Sequence, residues 1–344
     1  MATESAPSAQ PAHPATGLAS DRTAGLESPG SAGNSWWARY RLPYLYILPA
    51  ALVLGVVTLY PIGFQLWMSL TDYNRRNLRG RPADFVGLDN FKRILTNDLG
   101  LDYYDFWRIL GFNFVWMVVN VVLHVALGVA IALLLNRRDI IGKRFFRSIY
   151  IFPWAMPPLV VAVVWKNMFN REFGAINLSL GTLGLPHDIN WLESTSAPIP
   201  FLGFLPLAFY AILLVNVWLG WPFMMVVATG ALQSIPGDLY EAARIDGASR
   251  WQQFWDITAP LLRPAMVPAI MYGSILTFNQ FNVVYFITGG APFGKTEILV
   301  TQAFKLVNPQ GLYGVAAAFS LIIFFILLVI TLVQNRYLRG LEAA

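Results

Sequence analysis

The chain has 344 residues, of which 56% are hydrophobic and only 12% charged. A soluble domain averages about 25% charged, so this much apolar surface needs lipid as its solvent. The net charge of +5 is spread over several loops and forms no basic stripe for nucleic acid. The absence of cysteine excludes disulfides, thiolate catalysis and cysteine-ligated metal sites, and His13, His124 and His187 lie too far apart for a zinc spacing.

Residues 1–35 are dominated by Ala, Ser, Pro, Gly and Thr without apolar periodicity. Such a segment cannot offset its ordering entropy, which predicts a disordered tail. No basic region leads straight into an apolar run, so the tail is not read as a signal peptide. A first membrane helix is predicted from about Pro43 to Leu70, with an outer loop completing a region that ends near residue 107. That loop carries Arg75, Arg76, Arg79, Arg81, Lys92 and Arg93 among Asp72, Asp84, Asp89, Asp98, Asp102 and Asp105.

Residues 108–340 hold the remaining spans: Ile109 to Leu135, Ser148 to Trp165, Phe201 to Leu232, Pro264 to Ile287 and Gly311 to Val333. The fold class is therefore all-α membrane protein with six transmembrane helices. Gly220-Trp221-Pro222 predicts a kink or break in the fourth span. The short loop after span two is dense in Arg137, Arg138, Lys143, Arg144 and Arg147, which argues for the cytoplasm. Arg39, Arg41, Arg336 and Arg339 agree, and an even span count puts both termini there; the basic outer loop dissents. No span contains Asp, Glu, Lys or Arg, which leaves no obvious means of tapping a proton gradient.

Between spans four and five, residues 234–264 read as helix, glycine turn, helix. Asp238 stands as an N-cap with Glu241 three residues on, and Gly247 supplies a left-handed helix end. Ser249 and Gln252 repeat the capping spacing, Trp251, Phe254 and Trp255 share one face, and Pro260 and Pro264 lead into span five. Two readings are open on these residues alone: a docking element for another protein, or an ordinary ordered loop.

Polar groups within the spans include Asn113, Asn120, His124 and Thr277. Asn120 and His124, four apart, read first as interhelical hydrogen bonders. Spans four and five combine Asn216, Trp218 and Trp221 with Tyr272, Asn279, Gln280, Asn282 and Tyr285, amides and aromatic faces of the kind that bind sugars. Beyond them, Gly289-Gly290-Ala291-Pro292-Phe293-Gly294-Lys295-Thr296 satisfies the phosphate-binding loop pattern literally. Pro292 removes one amide donor, no convincing acidic partner strand follows, and the match is read as coincidence.

Glu241-Ala242-Ala243, then Asp246-Gly247, Ile257 and Pro260, resembles the EAA motif of binding-protein-dependent ABC importer permeases. Phe278 to Asn282 and Thr288 to Pro292 are similar to the carbohydrate branch, with Ala291 where that branch usually has glycine. The resemblance covers about residues 43–340. It implies a type I ABC importer permease (MetI-like) core in the bacterial cytoplasmic membrane. It further implies that the loop is a coupling helix seated in a separate ATPase. Glu241 would be the charged contact, Ala242 and Ala243 would allow close approach, and Gly247 would make the turn. The implied partners are an ATPase dimer that binds ATP and magnesium, a second and different permease chain, and an extracytoplasmic sugar-binding protein. The chain itself would bind no cofactor or metal and catalyse nothing. The competing class is a gradient-driven secondary transporter of a small polar solute, which would carry intramembrane charges or inverted repeats.

Overall fold

A computed structural model describes residues 36–137, 139–199, 203 and 205–342. The expected tail, Arg138 and the Phe201 start of span four lie outside the described residues, as do the side chains of Arg39 and Arg339. Contacts divide the chain into Met1–Tyr60 and Pro61–Ala344. The first unit is described only by the helix that leaves it, α1 (Trp36–Ser69), whose large apolar residues from Leu42 to Tyr60 are exposed as those of a lipid-facing helix would be.

In the second unit the described residues form helices and turns, with one isolated bridge between Thr71 and Phe85. After α2 (Asp89–Leu95) come α3 (Phe106–Asn136), α4 (Lys143–Ala155), α5 (Pro158–Met168), α6 (Ala175–Thr182) and α7 (Leu207–Gln233). They are followed by α8 (Gly237–Ile245), α9 (Arg250–Gln253), a π stretch over Phe254–Thr258, α10 (Ala259–Phe278), α11 (Phe281–Ile287), α12 (Leu299–Val307) and α13 (Tyr313–Glu342). Among the described residues, five helical runs are long and apolar enough to cross a bilayer: 41–69, 106–136, 207–233, 250–287 and 313–336.

The expected third span is not one helix. α4 and α5 meet at 90°. The residue before a proline is pushed out of the helical region. Here Met156 precedes Pro157 with ψ 141°, and Pro157 precedes Pro158 with ψ 122°. Two consecutive extended residues turn the chain a right angle. The fourth span behaves oppositely: α7 continues through Pro222 without a break. The fifth span begins earlier than expected, because α9 and the π stretch run straight into α10. Pro260 has no N–H to give, and the wider turn before it is closed by Ala259 N–H on Phe254 O. The same span breaks at Asn279 and Gln280 before α11.

Two kinds of contact hold α3 against α7. The first is close approach at glycine: a Cβ on Gly128 would come within 2.6 Å of Met224 Cβ, and one on Gly220 would collide with the His124 ring. Small residues at such crossings let helices meet without a hydrophobic drive between them. The second is a buried polar ladder. Asn113, Trp116, Asn120 and His124 follow at three- and four-residue spacing on one face of α3. Asn120 Oδ1 accepts from Asn216 Nδ2 at 2.7 Å, and His124 Nε2 lies 3.0 Å from the Asn216 carbonyl. Trp116 Nε1 donates to Thr277 O at 3.1 Å and Asn113 Nδ2 to Phe278 O at 3.1 Å, while Asn113 Oδ1 accepts from Leu299 N at 2.9 Å.

The loop between α1 and α3 is ordered. Asn90 Nδ2 bridges Ser69 O and Thr71 O at 2.9 and 2.8 Å, and Arg75 donates to Asn308 O and Pro309 O beyond α12. Further along, the Arg171 guanidinium donates to Asp188 and holds that carboxyl below its ordinary range, although both side chains are exposed.

Gly128→Leu is expected to destabilise the α3–α7 packing by about 1–3 kcal/mol. Gly111→Leu, where a Cβ meets nothing within 4 Å, is the control. Thermal unfolding of the detergent-solubilised chain reads the difference, and equal midpoints for the two variants would refute the packing argument.

Candidate docking helix and translocation cavity

α8 begins two residues earlier than the capping pattern predicts. Pro236 is the residue before it, with φ −59° and no side-chain cap, and Gly237 is the first helical residue. Asp238 is therefore not the N-cap. It lies inside the first turn, where a carboxylate still favours the unpaired amides. Glu241 does not reach back to close a box; it stands 3.9 Å from Arg244, with both side chains well exposed, an ion pair of little energetic weight.

The C-terminus of α8 is built as the sequence predicts. Gly247 has φ +80°, its N–H donates to Arg244 O at 3.1 Å, and Ala248 N–H reaches Ala243 O at 2.9 Å. This double closure is the Schellman arrangement, which needs a left-handed residue at the glycine position. Asp246 is the C-cap. Ser249 and Gln252 form the second capping box, with Ser249 N–H on Gln252 Oε1 at 2.8 Å and Gln252 N–H on Ser249 Oγ at 3.3 Å. Trp251, Phe254 and Trp255 cluster with ring centroids 5.0–6.2 Å apart.

Sequence reasoning missed the bond that fixes α8: Tyr240 Oη and Thr258 Oγ1 lie 2.9 Å apart, tying the helix to the π stretch. The eighteen-residue separation is only legible once both elements are folded back on each other. α8 thus has a closed C-terminal end and an anchor, yet none of its residues is buried. Ile245 is 87% exposed, and Leu239, Glu241 and Ala242 are also open. Ile257 is half-buried in the π stretch and Pro260 is exposed.

A separate cavity of about 420 Å³ lies among α3, α4, α7 and α10. It brings together Asn216, Tyr272, Asn279 and Gln280 of the expected substrate path. Gln280 Nε2 donates to Asn216 Oδ1 at 3.0 Å, and Asn279 Nδ2 to its own helix at Ile275 O. The oxygens Asn279 Oδ1 and Gln280 Oε1 accept no hydrogen bond from the described residues. The other candidates lie elsewhere. Trp218 packs edge-on to Trp165, Trp221 is buried against Tyr150, and Tyr285 is stacked on Phe281 and edge-on to Phe304. Asn282 sits on α11, outside the cavity lining. His124 and Trp154 line the cavity without having been expected there. Trp154 stands on the last turn of α4, just before the proline break. Amide groups beside the Tyr272 and Trp154 rings can bind the hydroxyls and the apolar face of a sugar.

The phosphate-loop pattern is occupied by its own chain. Ala291 N–H bonds Thr288 O, Lys295 N–H bonds Pro292 O, Thr296 N–H bonds Gly290 O and Glu297 N–H bonds Gly294 O. Gly290 N–H bonds Thr288 Oγ1, and Thr296 Oγ1 donates to Ala291 O at 2.6 Å. A phosphate cradle needs these amides free. Lys305 caps Gly289 O and pairs with buried Glu297, while Arg108 donates to Gly294 O. The turn is a structural plug. Among the described residues no group of three or more His, Asp or Glu side chains could hold a metal.

Residues 124–342 match the model of the binding-protein-dependent transport system inner membrane component family. The chain is 36% identical to the maltodextrin permease protein MdxF of Bacillus subtilis, over 85% of this chain and 67% of that protein. It is 36% identical to the trehalose/maltose permease protein MalF of Thermococcus litoralis, over 85% and 92%. It is 31% identical to the diacetylchitobiose permease protein DasB of Streptomyces coelicolor, over 84% of each. A bacterial ABC transporter that imports alginate has the same fold, with a TM-score of 0.71 at 19% identity over 88% of this chain and 97% of that one. This protein belongs to the binding-protein-dependent transport system inner membrane components: it is a multi-pass membrane permease subunit, a transport component and not an enzyme.

Proposed function

We propose that this chain is the permease subunit of an ATP-driven sugar importer, forming half of the translocation pathway. The observation that carries the coupling role is α8: closed at its C-terminus by Gly247, anchored through Tyr240 and Thr258, and without a buried residue of its own. A helix held this firmly with its apolar side in water has the form of one half of an interface. α8 is the coupling helix, and Glu241, Ala242, Ala243, Asp246, Gly247, Ile257 and Pro260 form its contact with a separate ATPase dimer. ATP and magnesium bind to that dimer. A second permease chain completes the pathway, and an extracytoplasmic binding protein delivers the sugar. The membrane is the bacterial cytoplasmic membrane, with both termini and α8 on the cytoplasmic side.

The named sugars of the relatives are maltodextrin, trehalose or maltose, and diacetylchitobiose. Their common chemistry, hydroxyl-rich rings, matches the cavity's amides and aromatic faces. Asn279, Gln280 and Tyr272 are its contact residues, and Asn216 holds Gln280 in place.

Two outcomes follow in proteoliposomes holding the chain with its co-purifying subunits. Glu241→Lys combined with Gly247→Asp reverses the contact charge and places a side chain at a left-handed position. Sugar uptake should fall at least tenfold while the chain still inserts; normal uptake would sink the docking role. Asn279→Ala should lower uptake several-fold with ATP hydrolysis retained; unchanged uptake of every oligosaccharide tried would remove Asn279 from the path.

A further inference from the structure

Two adjoining hollows run along one edge of α3, and neither belongs to the translocation cavity. The first is an apolar groove of about 370 Å³ between α3 and α10, walled by Val125, Val129, Leu133, Met266 and Ile270. The second is a polar hollow of about 650 Å³ where Arg137, Arg244 and Arg250 converge beside Asp139. Leu133 and Phe254 line both, so the two are continuous. Arg263 lines the groove itself.

Val125, Val129, Leu133 and Arg137 follow at four-residue spacing, one stripe along α3. At 1.5 Å per residue the apolar part is about 12 Å long, close to the depth of one leaflet's hydrocarbon, roughly 15 Å. Arg137 stands just past the end of α3, where that hydrocarbon would give way to headgroups. The charge balance is positive. Asp139 engages Arg137 at 2.9 Å and Glu241 stands 3.9 Å from Arg244, but Arg250 and Arg263 have no ion-pair partner among the described residues.

We infer that this stripe is a binding site for one anionic phospholipid of the surrounding bilayer, with an acyl chain along the Val125–Leu133 groove and the phosphate at Arg137, Arg250 and Arg263. A free phosphate would have no use for the groove, and a zwitterionic lipid would gain little from the arginines; the juxtaposition fits a molecule with both parts. The phosphate would sit beside Tyr240 and Arg244, at the base of α8.

Native mass spectrometry of the full chain with its co-purifying subunits tests this, using phosphatidylglycerol and phosphatidylcholine of matched acyl chains. The wild type should retain phosphatidylglycerol preferentially. R137Q/R250Q/R263Q should lose that preference by roughly tenfold, and Val129→Trp, which fills the groove, should lower retention of phosphatidylglycerol. R76Q/R79Q/R81Q, an equal charge loss in the loop after α1, should change neither. Equal retention of the two lipids by the wild type, or an unaltered preference in the arginine variant, overturns the site. So does retention unaffected by Val129→Trp, which would mean a bare phosphate site. A photocrosslinker at Leu133 should yield lipid adducts; adducts with protein alone would mean that another subunit fills the groove and would also overturn it.

Discussion

Asn216 is the residue on which the interior depends. Its amide nitrogen is committed to Asn120, its amide oxygen to Gln280 and its carbonyl to His124. In hydrocarbon an unpaired polar group costs several kcal/mol, so these residues cannot be placed independently. Each one makes sense only when α3, α7 and the broken end of α10 are together. The break at Asn279 and Gln280 frees backbone groups at membrane depth, which is tolerated only where protein or a cavity meets them. Here Trp116 and Asn113 of α3 take the carbonyls of Thr277 and Phe278. The same ladder that holds the bundle thereby lets a helix end inside it and leaves amide oxygens on the cavity wall.

Prolines act in two opposite ways, and context decides which. At Met156-Pro157-Pro158 two successive residues are forced extended, and the chain turns by a right angle. At Pro222 a single proline sits inside α7 and the helix carries on, because one missing donor is a small loss in a helix packed along most of its length. At Pro260 the loss is absorbed by the π turns before it. The right-angle bend lies beside the cavity, whose lining includes Trp154 before it and Met156 and Pro158 within it.

These distinctions explain what could be read from the sequence. Length and hydropathy suffice for the spans whose apolar run is unbroken, and local capping suffices for Gly247 and the Ser249–Gln252 box, since both depend on residues within one turn. Hydropathy cannot reveal the bend within Ser148 to Trp165, because it counts residues without asking whether the backbone can stay helical. The start of α8 differs from the capping pattern for a related reason: Asp238 has the right side chain for a cap, but Pro236 already fixes the chain two residues earlier. Tyr240–Thr258, and the division of the expected path residues between cavity and packing, were not legible. They depend on which helix faces meet, and both Trp218 and Trp221 look as suited to a sugar as Trp154 does.

The plug at Gly289–Thr296 shows why a motif must be judged by its free donors. Its glycines take left-handed conformations, as a phosphate loop's glycines can, with φ of 58°, 88° and 70° at Gly289, Gly290 and Gly294. Yet the amides that would face a phosphate bond back into the turn, and the lysine that pairs with an acid is Lys305, not Lys295. Thr296 and Glu297 are buried beneath it. The turn spends most of its amides on itself, which suits a rigid closure of the α11–α12 connection rather than a nucleotide cradle. α8 is the reverse case. Its C-terminal end is closed internally while its side chains are left open. Tyr240 ties it to Thr258, in the π stretch that runs into α10, so α8 and the start of that span are joined by a side-chain bond as well as by the chain.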